Sequence, residues 1–440
     1  MERKNNQWVV PGISDHPLRE QLTNEIHARP SPALHTPARL SHLALASGEP
    51  KTGEDRDHVA ALCRRFSAAV PPPDAKYWHV NLGVFHLNWE RHTEFSTYTF
   101  IREGAFSEPF REPVITLVPH DWLKDLAGDI LVAIHVAIET DAMPQRTPEQ
   151  LAELFISDNI AGSQVASGAA QVWTDFRLHS DGFSRILIRD SQLGLRQTGR
   201  LVQRLLDIET YRMMALLAFP IAQDYSGKVT NADQTLSDLT QQMLQNTDPD
   251  DERQLFDKLS RLAAEVERLA ATSNYRFSAA RAYYALVQRR IAELREERTE
   301  RRPTIREFME RRLAPAMRTC ESVHERLDVL SRRVARAGNL LRTRVDLALE
   351  KQSRDLLDSM NRRAHLQLRL QQTVEGLSVV VLSYYLIGLL SYGAKALKAT
   401  GLSIDSDLLL GVAIPIVIGA VWLGMRRLHH RLNKEHDQDH

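Results

Sequence analysis

Three polar segments in the first half of the sequence carry side chains that could bind a ligand or move a proton. Residues 24–30 combine an acid, an imidazole and a guanidinium, and residues 174–183 alternate acidic and basic side chains. In residues 203–212 an acid and a phenol are four positions apart, which places them on one face of a helix. The candidate ligand-binding residues are Glu25, His27, Arg29, Asp175, Arg177, Asp207 and Tyr211. A buried salt-bridge network between a sheet and a helix explains the same pattern, so both interpretations stay open.

Motifs for catalysis or cofactor binding are missing from the sequence. Its 17 histidines form no HExxH pattern, and its two cysteines, Cys63 and Cys320, are too far apart for a paired zinc-ligand motif. No glycine-rich phosphate loop and no GxSxG turn that would expose a nucleophilic serine is present. We therefore predict no catalytic residues, no metal site and no cofactor.

Charge is distributed unevenly along the 440 residues, although 56 basic and 56 acidic side chains cancel overall. Residues 1–250 are net acidic and residues 251–372 are net basic. The basic stretch suits a solvated helical face, attraction to anionic lipid or docking against the acidic part. No nucleic-acid recognition motif accompanies the arginines, so we predict no nucleic-acid partner.

Two segments near the end of the chain are long and apolar enough to cross a bilayer. Residues 376–394 and 408–425 contain no charged side chain, and about 20 apolar residues cross a hydrocarbon core. We predict transmembrane helices over 373–394 and 408–425, followed by a basic tail over 426–440. Basic residues flank the pair on the outer sides, which predicts that both termini are cytoplasmic.

The rest of the chain is predicted to form a head and a stalk. β-branched and aromatic runs over 77–88, 93–101, 130–138, 165–178 and 183–188 indicate strands, and Thr147 with Pro148 indicates the start of a short helix. This predicts an α+β cytoplasmic head over residues 1–192. Residues 193–372 form a long, coiled-coil-like helical stalk in this prediction, because apolar residues from Cys320 to Leu341 recur at alternating spacings of three and four. A capping box at Thr304 and Glu307 starts that helix.

The polar segments also carry a family resemblance. The stretches NEIHARP, LNWERHTEF, TDFRLHSDGFSRILI and GRLVQRLLDIETYRMMALLAFP resemble the signatures of an uncharacterised family of bacterial membrane-anchored proteins, known as a domain of unknown function. The resemblance covers nearly the whole chain. It implies a bacterial origin and a membrane anchor, and it implies no activity.

A second resemblance concerns architecture. An α+β head, a long stalk and two C-terminal spans look like CorA-type magnesium channels. Where that family has Tyr-Gly-Met-Asn after the first span, this sequence has Tyr392, Gly393, Ala394 and Lys395, so only the first two residues match. The resemblance marks Tyr392, Gly393 and Lys395 as candidate pore-loop residues. The fixed positive charge of Lys395 argues against magnesium passage.

Together these features predict an integral protein of the bacterial inner membrane. The leading hypothesis is a non-enzymatic scaffold or sensor that forms a homo-oligomer in the bilayer. One alternative is a CorA-like ion channel or transporter. Another is a membrane-held enzyme that uses the polar head segments. The sequence does not identify a small-molecule or ion ligand.

Overall fold

The computed structural model describes residues 16–19, 22–23, 32–46, 53–156, 160–245, 249–299, 302–399 and 406–436. The candidates Glu25, His27 and Arg29 lie outside the described residues. The chain divides into two compact units. The first contains the described residues up to 245 together with 254–338, and the second contains 249–253 together with 339–436.

The first unit is built on one mixed sheet, which has nine strands within the described residues. The strands are β1 Ala38–Ala46, β2 Tyr77–Asn81, β3 His86–Arg91, β4 Phe95–Glu103, β5 Asp129–Thr140, β6 Ala161–Val165, β7 Ala170–Thr174, β8 Ser184–Asp190 and β9 Glu297–Arg298. Their order across the sheet is β2-β3-β4-β1-β5-β8-β7-β6-β9. Only β5 and β8 pair in parallel among these neighbours, and the other pairs are antiparallel.

Helices follow and interrupt the strands. They are α1 Glu54–Arg65, α2 His120–Lys124, α3 Pro148–Leu154, α4 Leu195–Leu216, α5 Phe219–Gln245, α6 Pro249–Leu294, α7 Ile305–Ala399 and α8 Ser406–His436. The predicted α+β class is therefore confirmed. The predicted cap of α3 is also confirmed, because the Thr147 hydroxyl accepts from the amide of Gln150 at 3.3 Å and the Gln150 side chain accepts from the amide of Thr147 at 2.9 Å.

Tight turns divide two of the predicted strands. The run over 77–88 breaks into β2 and β3, because Asn81 accepts a hydrogen bond from the amide of Gly83 at 2.8 Å and Gly83 has a φ of 85°. Glycine takes this left-handed conformation without a steric penalty. The run over 165–178 likewise becomes part of a hairpin, with three consecutive residues of positive φ from Ala166 to Gly168. The strand propensity of the residues predicted one continuous strand in each place but did not predict the turn within it.

The sheet has an apolar core on each face. On one face, aromatic residues such as Trp89, Tyr98 and Phe100 pack in a cluster with α1 and α2 residues such as Leu62 and Trp122. On the other face, the strands form a second cluster with α4, α6 and the start of α7. Helix α4 is buried on all sides over residues 205–210, where Asp207, Glu209 and Thr210 lie among apolar side chains.

Helices α5, α6 and the first part of α7 extend the second cluster. The hydroxyls of Tyr225 on α5 and Thr272 on α6 are 2.8 Å apart, and Arg326 on α7 donates to Thr230 on α5 at 2.9 Å. The apolar seam predicted on α7 is buried in the first unit at Cys320, Val323, Leu327, Leu330 and Val334. The seam is therefore part of the first unit, which is called the head from here on.

The second unit consists largely of the remainder of α7 and α8. An 18-residue window of α7 has a mean hydropathy of 1.7, and only 6% of its residues are buried. By length and composition, α7 is the one helix in the described chain that is suited to cross a membrane. The second predicted span, residues 408–425, lies within α8 and stays a prediction, as does the CorA-like arrangement.

Candidate functional site

Asp207 and Tyr211, which the sequence places on one helix face, line the same small polar cavity in the head. The cavity lies between α4 and strands β1, β3 and β4. Its lining residues are His42, Glu90, His92, Phe95, Thr97, Thr99, Gln203, Asp207, Thr210 and Tyr211. Its volume is about 10 Å³, which is close to the minimum that one water molecule needs. The site is a small polar pocket whose lining includes partly exposed residues.

Local sequence patterns explain how these side chains converge. Phe95, Thr97 and Thr99 alternate along β4, so they project from the same face of the sheet. Gln203 and Asp207 are one turn apart on α4, and the Gln203 amide donates to the Asp207 carboxylate at 3.0 Å. These spacings place the polar side chains of α4 opposite the polar side chains of β4.

Arg290 of α6 connects this pocket to a second helix. Its Nε donates to the Asp207 carboxylate at 2.8 Å, and its Nη1 donates to Glu293 at 3.0 Å. Arg204 of α4 also donates to Glu293, at 3.1 Å. The two acids and two guanidiniums form a network that fastens α4 to α6.

Burial controls the protonation of the pocket. Burial raises the pKa of Asp207 above its ordinary value, and the nearby charge of Glu90 adds to this, although Arg290 and Gln203 favour the carboxylate. His42 is buried against Thr99, with 2.8 Å between the ring Nδ1 and the hydroxyl. Burial lowers the pKa of His42 to about 3, so this imidazole is neutral at physiological pH.

Tyr211 belongs to a neighbouring aromatic and ionic cluster. Its ring stacks on Tyr283 of α6 with 5.8 Å between centroids and meets Phe95 edge-on at 6.4 Å. The Tyr283 hydroxyl donates to Glu94 at 2.7 Å, and Arg276 donates to the same carboxylate at 2.9 Å. Glu94 lies in the turn between β3 and β4, so this cluster attaches that turn to α6.

Asp175 and Arg177 lie elsewhere, after β7. The buried Asp175 carboxylate accepts from the amides of Ile156 at 3.0 Å and Arg177 at 3.2 Å, and it lies 3.2 Å from Nε2 of His179. The Arg177 side chain is exposed. Asp175 therefore joins the loop after β7 to the segment that follows α3, and no described hydrogen bond or ion pair joins it to Asp207.

The loop after β7 reaches α4 through Phe176 instead. This residue has a φ of 54°, which is uncommon for a bulky side chain. Its ring lies under the Arg212 guanidinium, 5.4 Å from the centroid, and stacks on Phe308 at 4.5 Å. Arg212 is also paired with the buried Glu209 at 2.7 Å. The contact fixes the loop against both α4 and α7.

A serine, a histidine and an aspartate that the sequence analysis did not connect also meet in the head. The Ser41 hydroxyl is 3.0 Å from Nδ1 of His135, and Nε2 of His135 is 4.0 Å from Asp181. The arrangement has the residue types of a catalytic triad, but Ser41 is fully buried and accepts a hydrogen bond from the amide of Ile115. His135 is stacked on Phe183 at 3.9 Å. We interpret the group as structural.

No spacing rule could have revealed this group. Ser41 and His135 are 94 positions apart and become direct neighbours through the β1–β5 register. Burial lowers the pKa of His135 to about 4, outweighing the opposite effect of Asp181. The ring is therefore neutral at physiological pH and serves as a polar element within the core.

Further clefts lie between α6 and the first part of α7. One, of about 230 Å³, is lined by residues including Phe277, Tyr284, Met317, Cys320 and His324. Burial raises the pKa of Cys320 to about 11, which keeps the thiol protonated and unreactive. In the described part of the chain, no three or more His, Cys, Asp or Glu side chains are grouped in a way that could hold a metal ion.

The predicted pore-loop residues lie in helical backbone. Tyr392, Gly393 and Lys395 belong to the last turns of α7, which continues to Ala399. The Lys395 ammonium is 5.9 Å from the centroid of the Tyr392 ring, within the range of a cation–π contact. Their participation in a pore stays a prediction.

The fold and the pocket define an α+β sheet protein whose longest helix, α7, includes an exposed apolar window. Residues 14–432 match the family described as "Protein of unknown function (DUF3422)". Because this match covers nearly the entire chain, the protein belongs to that family, which is consistent with the resemblance seen in the polar segments. No curated protein matches the sequence significantly. The family description gives no activity, membrane anchor or relationship to CorA.

Proposed function

We propose that this protein is a membrane-anchored scaffold or sensor of the bacterial inner membrane, with its α+β head in the cytoplasm. The observation that carries this proposal is the apolar window of α7, which has a mean hydropathy of 1.7 and in which only 6% of the residues are buried. Eighteen helical residues extend for about 27 Å, close to the thickness of a hydrocarbon core. Side chains such as Leu377, Val380 and Leu389 are at least 64% exposed in the chain by itself, and lipid would cover them.

The proposed topology has two spans and cytoplasmic termini. Arg362, Arg363 and Arg369 precede the first span, and a basic tail follows residues 408–425. Positive flanking residues of this kind favour the cytoplasmic side. Trp422 near the end of the second span has the Arg426 guanidinium 5.2 Å from its ring, a pairing suited to a membrane interface.

The contacts of the head support a scaffold or sensor more than an enzyme. Asp207, the most deeply buried acid of the candidate pocket, is hydrogen-bonded to Gln203 and Arg290, and the pocket has space for about one water molecule. A substrate would have to displace these contacts. The positive charge of Lys395 likewise argues against the channel alternative for cations.

Membrane extraction tests the anchor. We expect the full chain to sediment with membranes and to resist both high salt and alkaline carbonate. A variant with Val380→Arg and Leu386→Arg in the first span should be extracted more readily than the wild type, because an arginine at the centre of a span costs roughly 2.5–3.5 kcal/mol and only the second proposed span remains to hold the chain. Leu347→Arg with Leu357→Arg, two exposed positions ahead of the apolar window, is the matched control and should remain in the membrane. A wild-type chain found in the soluble fraction would contradict the proposal.

Two further measurements separate the remaining possibilities. Reporters fused before Met1 and after Leu432 should both report a cytoplasmic location, and a tag near Thr400 should be external. Specific cation uptake by liposomes that contain the purified protein would contradict the scaffold proposal and support a channel. Uptake equal to that of empty liposomes is the expected result.

A further inference from the structure

Two exposed arginines follow the second apolar segment on α8. Arg426 and Arg427 come directly after residues 408–425, which carry no charge, and we call them the α8 arginine pair. The uncharged residues extend for about 27 Å in a helix, close to the thickness of a hydrocarbon core. In the topology proposed above, the pair therefore lies in the layer of lipid headgroups on the cytoplasmic side.

We propose that the α8 arginine pair binds the headgroups of anionic phospholipids. The proposal rests on the membrane anchor proposed above, and it adds the class of lipid that surrounds the anchor on the cytoplasmic side. Phosphodiester groups are the anions present at this depth, and a guanidinium donates to phosphate oxygens in a bidentate geometry. A zwitterionic lipid also carries a phosphate, but its own cation opposes the arginines. An anionic lipid lacks this opposing charge.

Trp422 holds Arg426 at the depth of the headgroups. The Arg426 guanidinium is 5.2 Å from the centroid of the Trp422 ring, one helical turn closer to the middle of the apolar segment. Side chains in a helix lean toward its N-terminus, and indole rings favour the membrane interface. A cation–π contact does not use up the N–H donors of the guanidinium. These donors stay available for an oxygen ligand.

The α8 arginine pair has no acidic partner in the part of the chain that the structure describes. No ion pair is formed there by Arg426 or Arg427. Along α8 the acids on either side are Asp407, at the opposite end of the apolar segment, and Glu435. Glu435 follows Arg427 by about 12 Å of helix. The charge of the pair is therefore available to an anion from outside the chain.

The charge around the pair complements an anionic surface on one side of the proposed bilayer only. Residues 359–375 and 426–436, which flank the two spans on the proposed cytoplasmic side, contain seven Lys and Arg side chains and two acidic ones. Residues 395–407, on the other side, contain two basic and two acidic side chains. The cytoplasmic leaflet is the anionic one, and it attracts basic residues within a Debye length of about 8 Å.

Quenching of Trp422 by brominated lipids tests the proposal in the full-length protein reconstituted into vesicles. Bromine on an acyl chain quenches an indole only when that lipid lies against it. Brominated phosphatidylglycerol, which is anionic, is compared with brominated phosphatidylcholine, which is zwitterionic, at matched mole fractions. The other five tryptophans belong to residues 1–192, and their signal is measured in a Trp422→Phe chain and subtracted.

We expect phosphatidylglycerol to be preferred around Trp422 by about fivefold or more, the factor that one basic residue near a membrane surface provides. Arg426→Gln with Arg427→Gln should lower this preference at least about threefold while both lipids still quench. Arg342→Gln with Arg344→Gln is the matched control, because these exposed arginines precede residue 376 by about 48 Å of helix or more. The control should keep the wild-type preference. High salt should weaken the preference, and inorganic phosphate at the same ionic strength should weaken it no further.

Equal quenching by the two lipids in the wild type would overturn the proposal. So would an unchanged preference in the variant of the α8 arginine pair, or an equal loss in the control. A greater loss with inorganic phosphate than with salt would indicate a site for free phosphate and would also overturn it. Quenching of Trp422 by neither lipid would instead contradict the membrane anchor itself, so failure of the anchor and failure of the lipid preference give different results.

Discussion

Replacing Arg290 with alanine is expected to destabilise the head and to make its stability depend on pH. The substitution removes the guanidinium that donates to both Asp207 and Glu293. Asp207 is then left 9% exposed with Gln203 as its remaining donor among the described contacts. A buried carboxylate without its cation must either remain charged at a cost or take up a proton.

The magnitude follows from the burial of the pair. Removing one partner of a deeply buried ion pair costs roughly 3–5 kcal/mol, whereas exposed pairs contribute about 0.2–1 kcal/mol. The Arg290 side chain is 31% exposed and that of Asp207 is 11% exposed, so the pair lies between these limits. We expect the free energy of unfolding to fall by about 2 kcal/mol at pH 8.

The loss should be smaller at pH 5. Burial already raises the pKa of Asp207, and removing Arg290 removes an opposing effect, so the pKa rises further. A carboxyl group whose pKa is raised by folding stabilises the fold below its unfolded pKa, and this contribution disappears as the pH rises through the folded value. The variant therefore regains stability on acidification.

Urea unfolding of the detergent-solubilised full chain, followed by tryptophan fluorescence, measures both effects, because Trp89 and Trp122 are buried in the sheet domain. Arg289→Ala is the matched control. This arginine is exposed, and its neighbouring position makes the two variants equal in composition and charge. Equal losses for Arg290→Ala and Arg289→Ala, or an Arg290→Ala loss independent of pH, would refute the assigned role of the Asp207 network.

Two other perturbations test the packing of the head. In Gly199→Ala the new Cβ would stand 1.7 Å from the Pro32 carbonyl oxygen, so thermal unfolding should show a loss of roughly 1–3 kcal/mol. Gly227→Ala on α5 meets no atom within 4 Å and should instead gain up to about 1 kcal/mol; equal effects would contradict the close approach at Gly199. Folding lowers the pKa of His42 to about 3 and of His135 to about 4, so stability should fall as the pH drops below the ordinary 6.5. Replacing both histidines with glutamine should reduce the change of the urea midpoint between pH 7 and pH 5. If the midpoint changes with pH as much as in the wild type, the acid sensitivity comes from other groups.

Local features of the fold followed from the sequence. The capping box at Thr304 and Glu307 is confirmed, because the Thr304 hydroxyl accepts from the Glu307 amide at 3.1 Å and the Glu307 carboxylate accepts from the Thr304 amide at 3.3 Å. The apolar spacing from Cys320 onward correctly marks the buried face of α7. These features depend on residues within a turn or two of each other, where helix geometry fixes which side chains meet.

The candidate site was only partly predictable. The four-residue spacing of Asp207 and Tyr211 placed them on one helix face, and both line one pocket. Asp175 had the same polar character in the sequence, yet its carboxylate binds its own loop and the segment after α3 instead of the pocket. Composition identified side chains that need polar partners, but it could not say whether those partners would be local or distant.

The sequence by itself determined the helical faces, the α+β class and the apolar segments, because each is a periodic or compositional property of consecutive residues. Only the tertiary structure decided which distant residues meet. Asp207 and Arg290 are 83 positions apart, Ser41 and His135 are 94 apart, and Glu94 and Arg276 are 182 apart. These pairs depend on strand order, on register and on the packing of α4 against α6. A shift of one residue in strand register turns every side chain to the opposite face, so the chemistry of the pocket depends on how the whole sheet is assembled.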